Sequence, residues 1–300
     1  MNQIAETQNA GAQQKLLGAA TQVYSRAMVY LVSQFGLTVV LPAIGAFAAF
    51  YWHPLRPYVA LFSLASAVAD ATILDRSYRR LLRLAAKIKE QFDCTVLDIP
   101  WSRVNVGSPV EYETIHEWGT AYDQQVRKAQ LKDWYPKIVA GVPLHQARII
   151  CQRTNLWYDS KLRRRYGEII LIGSIGIVLA LVVLGLMHEL TVGEFVLNVM
   201  APAAPILIWS AREYYRQIDT AEMLDQIRRE AEALWIRARD GGCSSDDCSR
   251  DSRELQTAIY VRRATSPLIF PMIYKWLRPA LEAQMNEGAE QFVRELRGAD

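Results

Sequence analysis

Three short stretches concentrate side chains that could recognise a planar, anionic ligand: "PWSRVNV" (100–106), "DWYPK" (133–137) and "ARIICQRTNLWYDSK" (147–161). They carry Trp101, Arg103, Trp134, Tyr135, Lys137, Arg148, Arg153, Asn155, Trp157 and Asp159. Aromatic faces stack on bases and guanidinium groups pair with phosphate, so the set suits a nucleotide. It also suits a plain core, with the Trp residues packed inside and the Arg residues paired with Asp or hydrated. Residue type alone leaves both readings open. No hydrolytic or redox pattern accompanies them: there is no Walker loop and no G-x-S-x-G, and His53, His116, His145 and His188 are scattered. We therefore expect no enzyme, no cofactor and no metal. Cys243 and Cys248 are loosely spaced like a metal pair, but "GGCSSDDCS" is a loop composition with no His beside it.

The elements that must hold these residues include membrane spans. Ile169 to Met187 contains no charge, and at about 1.5 Å per residue it is long enough to cross a hydrocarbon core of roughly 30 Å. Ala27 to Phe50, Pro57 to Leu74 and Val192 to Ala211 follow the same rule. The strongly charged remainder offsets these runs, which is why the mean hydropathy is only +0.01. The net charge of +3 decides little.

Basic residues cluster at Arg26, at Arg76, Arg79, Arg80 and Arg83, at Lys161, Arg163, Arg164 and Arg165, and at Arg212 and Arg216. The connections 51–56 and 188–194 contain only Arg56. The positive-inside rule then puts both termini and the central segment in the cytoplasm and the short connections outside. The expected division is a cytoplasmic segment 1–26, a hairpin of spans 27–74, a sensor insert 75–166, a second hairpin 167–211 and a cytoplasmic helical region 212–300. No basic n-region or small-residue cleavage site marks the first run, so it reads as an anchor and not a removed signal. All four cysteines fall on the cytoplasmic side, where thiols stay reduced.

The fold class expected is mainly α: a four-span helical membrane protein whose cytoplasmic domain is built from the insert between spans two and three and from the C-terminal tail. Leu81, Leu84, Ala85, Ile88 and Phe92 have helical spacing, so span two continues as an amphipathic helix. "CTVLDIP" (94–100) alternates like a short strand or an extended link. Ser108-Pro109 starts a helix to about Ala129, and Pro143 opens one that runs into span three. Ala221, Leu224, Ile227, Ala231, Leu234 and Ala238 extend span four as a cytoplasmic helix ended by Gly241-Gly242. Asp251 with Glu254 resembles a capping pair; Ser266-Pro267 starts a last helix, which Pro271 and Pro279 bend or divide.

Inside the spans, Gly45 with Ala49 and Gly176 with Ala180 are small-x-x-x-small pairs that permit close helix approach between copies. Asp70 lies in the second apolar run, where a charge is costly unless it is paired or at headgroup level. Pro202 and Pro205 would kink span four.

Taken in order, "QFDCTVLDIPW", "LKDWYPK", "ARIICQRTNLWYDSKLRRRY" and "SRELQTAIYVRRATSPLIFPMIYKWLR" resemble the four-transmembrane effector family associated with SMODS nucleotidyltransferases in bacterial CBASS antiviral systems. The resemblance covers about Leu81 to Arg294; residues 1–26 match nothing. It implies a multi-pass protein of the bacterial inner membrane that senses a cyclic oligonucleotide from its partner nucleotidyltransferase, binds no nucleic-acid polymer, and assembles as a homo-oligomer that breaches the lipid bilayer. A clamp of Arg148, Arg153, Asn155 and Trp157 would then act on the helix that becomes span three. Two other classes share the topology. A ligand-gated or housekeeping channel would need a polar constriction, for which Asp70, Glu194 and Asn198 are the candidates. A membrane-anchored scaffold would leave the spans passive.

Overall fold

The computed structural model describes residues 2–124, 131–187, 191–196 and 200–298, which are mainly α-helical and contain no strand. The principal helices are α1 (Gly11–Phe35), α2 (Leu41–Tyr51), α3 (Arg56–Ala69), α4 (Asp75–Val96), α5 (Tyr112–Asp123), α6 (Leu144–Met187), α7 (Ala201–Arg239), α8 (Ser245–Thr265) and α9 (Pro271–Arg297). Wider π-type turns, Gly36–Val40 and Asp70–Leu74, join α1 to α2 and α3 to α4.

The chain divides into two compact units. The first comprises Met1–Arg26, Leu81–Arg163 and Thr220–Asp300, the second Ala27–Arg80 and Arg164–Asp219. Each of the four passages between them falls inside a helix: α1, α4, α6 and α7.

The first unit has an ordinary apolar core. α4 turns Leu82, Ala85, Ile88 and Phe92 inward and leaves Arg83 in solvent. Phe92 clusters with Ile149, Ile150 and Leu156 of α6 and Leu224, Leu234 and Trp235 of α7, while Ala85 and Ile88 form a second cluster with Ala19, Ala20 and Val23 of α1 and Ile115 of α5. Each such burial contributes about 1.5–3 kcal/mol. α7 ends where Gly241 takes φ +73°, a left-handed conformation that a side chain would resist.

Several local expectations are corrected here. "CTVLDIP" is no strand: α4 continues to Val96, because Cys94 and Val96 are buried by the helix's inner face. α5 starts at Tyr112 and ends at Asp123, short of the expected 129; residues 125–130 lie outside the described ones. α8 is capped earlier than expected, by Ser244, whose hydroxyl accepts from the Asp247 amide at 3.1 Å. Pro267 opens no helix; Pro271 does, and α9 passes through Pro279 without dividing. Pro202 and Pro205 lie in α7, directly after the helical turn at Met200; residues 197–199 lie outside the described ones. Finally, Cys243 and Cys248 face each other across the first turn of α8, with Cα atoms 6.0 Å apart, while Cys94 and Cys151 are buried. Among the described residues no cluster could hold a metal ion.

The second unit is built differently. Ile172, Leu179, Val183 and Leu186 of α6, and Leu61, Leu64 and Val68 near or within α3, are exposed. Ser66, Ser174, Ser210, Glu213 and Gln217 are buried. The Ser210 hydroxyl is within hydrogen-bond reach of Ser174 and of the Ile206 carbonyl, and Gln217 donates to Glu213 at 2.8 Å. Among the described residues two helical stretches are long and apolar enough to cross a membrane, Gly11–Gly45 and Leu144–Met187; Pro57–Ser66 is a shorter apolar helix.

Candidate functional site

In the first unit a cavity of about 190 Å³ is lined by Trp134, Tyr135, Asn155, Tyr158, Tyr274 and Arg278, with Lys132, Glu282 and Asn286 also on its wall. α6 supplies Asn155 and Tyr158, three residues apart, α9 supplies Tyr274 and Arg278, four apart, and the loop before α6 supplies Trp134. The Lys89 ammonium stands 3.4 Å from the centre of the Trp134 ring, a cation–π contact. Burial, then the nearby Arg263, pulls the Lys89 pKa down to about 7 against the opposing pull of Asp93. Burial, then Tyr274, pushes Tyr158 above the ordinary phenol value. Arg278 donates to Glu282 at 2.6 Å. Three or four aromatic rings, amides and cations around one opening can stack a base and hold an anion.

The Trp134 loop is held by the N-terminal segment. Asn2 donates to the Val139 and Val142 carbonyls at 2.6 and 2.8 Å. Gln8, fully buried, accepts from the Tyr135 amide at 2.7 Å and donates back to its carbonyl at 3.2 Å. Asn9 exchanges bonds with Asp133 at 2.9 and 3.1 Å, and Asp133 sits at φ +57°. These short polar residues have no periodic signature, so the sequence offered no reason to expect them near residue 135.

Of the residues singled out for ligand recognition, Trp134, Tyr135 and Asn155 meet at the cavity. The rest are distributed elsewhere. Arg148 is buried; its guanidinium donates to the Leu97 and Asp98 carbonyls, to the Asp98 carboxylate at 3.1 Å and to Ser249 at 2.8 Å, closing the C-terminus of α4. Arg153 pairs with Glu232 at 2.8 Å and lies 4.8 Å from the centre of the Phe292 ring. Asp159 pairs with Arg163 at 3.1 Å, and Lys137 with Asp133 at 3.0 Å. Trp101 donates to the Gly107 carbonyl at 2.8 Å; Arg103 is exposed on the short helix Arg103–Val106; Trp157 is half-buried. The face of α6 that was expected to clamp a ligand thus meets several different neighbours.

Beneath the cavity lies an ionic lattice that the sequence reading missed. Glu90, inaccessible to solvent, pairs with Arg253 at 2.8 Å; Asp93 pairs with Arg263 at 2.8 Å and accepts from Tyr135 at 2.7 Å. Gln256 bridges both carboxylates at 2.8 and 3.1 Å. The available signal was two acids among the apolar residues of α4: Glu90 between Ile88 and Phe92, and Asp93 directly after Phe92.

Of the small residues expected at a contact between copies, Gly45 faces its own chain: a Cβ there would lie 3.0 Å from Val59 Cγ1. Gly176 has nothing within 4 Å of such a Cβ, and Ala180 is exposed one turn on. The side chains of Ala49 and Asp70 lie outside the described residues, as does Asn198. Glu194 caps its own short helix, exchanging bonds with Thr191.

Comparison with known proteins accounts for most of the chain. It is 22% identical over 282 residues to a probable CBASS effector molecule of Bacillus cereus (strain VD146), an alignment covering 91% of this chain and 92% of that one. No solved structure matches it. Residues 2–292 match the SMODS-associating 4TM effector domain, so the N-terminal segment lies inside the matched region, and the chain belongs to that family.

Proposed function

We propose that the protein is a membrane effector of bacterial antiphage defence, activated by a cyclic oligonucleotide from a partner nucleotidyltransferase and acting by association in the inner membrane until the barrier fails. In this reading it is not an enzyme: binding, and not turnover, is its output. Four spans, with both termini in the cytoplasm, cross the bilayer. One observation carries the proposal: the uninterrupted helix α6 presents Asn155 and Tyr158 to the cavity and then becomes the apolar stretch that ends at Met187. A ligand that prefers one setting of that helix would shift the setting of the span by its differential affinity.

At about 190 Å³ the cavity is smaller than the roughly 300 Å³ at which drug-sized pockets begin. It therefore accepts one base of a cyclic di- or trinucleotide, with the phosphates reaching the Lys132 and Arg278 side. Association through exposed Gly176 and Ala180 is the step that makes a lesion, since one copy has few polar groups to line water.

The test is dye release from liposomes containing the pure protein, with a panel of cyclic di- and trinucleotides. Release is expected with one of them, and Trp134→Ala should weaken that ligand by about 1–3 kcal/mol, the range for a lost base stack. Equal release with and without every nucleotide would overturn the reading.

A further inference from the structure

We infer that the outer face of α9 is a docking ridge for a second copy of the chain, which receives it in the groove between its α7 and α8. The inference rests on the reading that copies associate, and it adds a contact within the first unit that holds them together beforehand. Met272, Lys275, Trp276, Pro279 and Ala283 recur at helical spacing on one exposed face, where Met272 and Trp276 are 80% and 71% exposed. Tyr274 and Arg278 line the smaller cavity while Leu277 and Leu281 are buried, so the ridge is the face of α9 turned outward.

The occupant follows from charge, length and level. The groove has a volume of about 590 Å³, with Ile227, Leu234, Leu255 and Ala258 along its floor and exposed Met223 and Val261 at its rim. Glu230 and Glu254 are exposed on its walls, and among the described residues neither they nor Lys275 make an ion pair within the chain. An apolar ridge bearing one cation thus complements an apolar groove bearing two anions, and a helix anchored by Trp in a groove is a recurrent mode of recognition. At 1.5 Å per residue Met272 to Ala283 rise about 16 Å and Met223 to Arg237 about 21 Å, so the ridge fits within the groove's length. Both start at one level: along α6, Ser160 meets the Ala221 carbonyl of α7 at 3.3 Å, and Arg163 meets the Pro267 carbonyl just before α9 at 2.8 Å. Further down, Arg153 meets both Glu232 of α7 and Phe292 of α9, so the two helices run the same way. A copy displaced sideways, with no shift along α7, therefore presents ridge to groove. The two surfaces differ, so the contact is head to tail and repeats as a ring or a row. Holding neighbours this way raises the effective concentration of their apolar stretches for one another.

Both surfaces are already exposed, so the contact needs no nucleotide. The test uses the full chain in liposomes with a photoreactive benzophenone amino acid in place of Met272. Irradiation should give a dimer whose adduct lies on α7 or α8 of the other copy, at a yield well above that of the same probe in place of Tyr112, which is 87% exposed. Trp276→Ala should lower the yield about tenfold or more, as for a lost aromatic anchor. Lys275→Glu alone, and Glu230→Lys with Glu254→Lys alone, should each lose the dimer because like charges then face each other, and mixing the two variants should restore it. A loss that mixing does not restore, an adduct on α9 of the other copy, an adduct on lipid, or no dimer would each overturn the contact. Dye release from the same liposomes reads the proposed function separately. Nucleotide-triggered release without the adduct would overturn the contact and leave association through the spans standing; the adduct without release under any cyclic di- or trinucleotide would support the contact and overturn activation by these ligands.

Discussion

The two units use the same helices under opposite rules. On α6, Ile149, Ile150 and Leu156 are hidden while, further along the same helix, Ile172, Leu179 and Val183 are exposed and Ser174 is hidden. In the first unit water is the solvent, and apolar area leaves it. In the second, exposed aliphatics beside buried serines and a buried Gln–Glu pair are what a hydrocarbon solvent selects, because polar groups there must find partners within the protein. The first unit buries charge too, but with partners: Glu90 and Asp93 are closed by Arg253, Arg263 and Gln256, Arg148 by the Leu97 and Asp98 carbonyls, and Arg163 by Asp159 and the Pro267 carbonyl.

The largest effect expected from this contrast concerns that lattice. Asp93→Ala leaves Arg263 without its carboxylate and removes the acceptor of the Tyr135 hydroxyl. Breaking a buried pair from one side costs about 3–5 kcal/mol. Ile177→Ala, an exposed aliphatic of the second unit, should cost little in detergent, since the micelle replaces the contact. Thermal unfolding in micelles compares the two directly; equal losses would mean that the second unit packs like a water-soluble core.

A middle-sized effect separates two glycines. Gly45→Leu forces a side chain against Val59, 3.0 Å away at Cβ, and overpacking of this kind costs about 1–3 kcal/mol. Gly176→Leu meets nothing, so the monomer should melt like the parent while ligand-triggered cross-linking and dye release disappear. If instead Gly176→Leu lowers the melting temperature and leaves release intact, that face belongs to the fold and not to assembly.

The helices were legible because their signals are local: apolar spacing on α4 and α7, Gly241 after α7, and the uncharged end of α6. The site was less so. Arg148 and Arg153 have the right chemistry for phosphate, but nothing local says that one closes α4 through Leu97 and Asp98 and the other meets Glu232, 79 residues away. Cations on a helix are assigned by what faces them, and that is tertiary information. The Gln8 to Tyr135 exchange spans 127 residues and is equally silent in sequence. "CTVLDIP" misled for a related reason: alternation over a few residues is also produced by the last turn of a helix whose end is closed by a distant arginine.

The smallest effect is a pH dependence confined to the first unit. Lys89 is held near pKa 7, chiefly by burial, against 10.5 for the free side chain. Below pH 7 both folded and unfolded chains carry the proton, and the folded state bears the full cost of a crowded ammonium. Between about 7 and 10.5 the unfolded chain binds more protons than the folded one, so stability rises with pH across that window. The cation–π contact with Trp134 opposes the trend, because the neutral amine loses it. Since burial is the larger cause, the net slope should stay positive. Lys89→Met removes both contributions, so the parent should gain melting temperature relative to this variant between pH 7 and 10 and show no relative change between pH 5 and 6. Parallel curves over the whole range would mean that the ammonium beside Trp134 is hydrated.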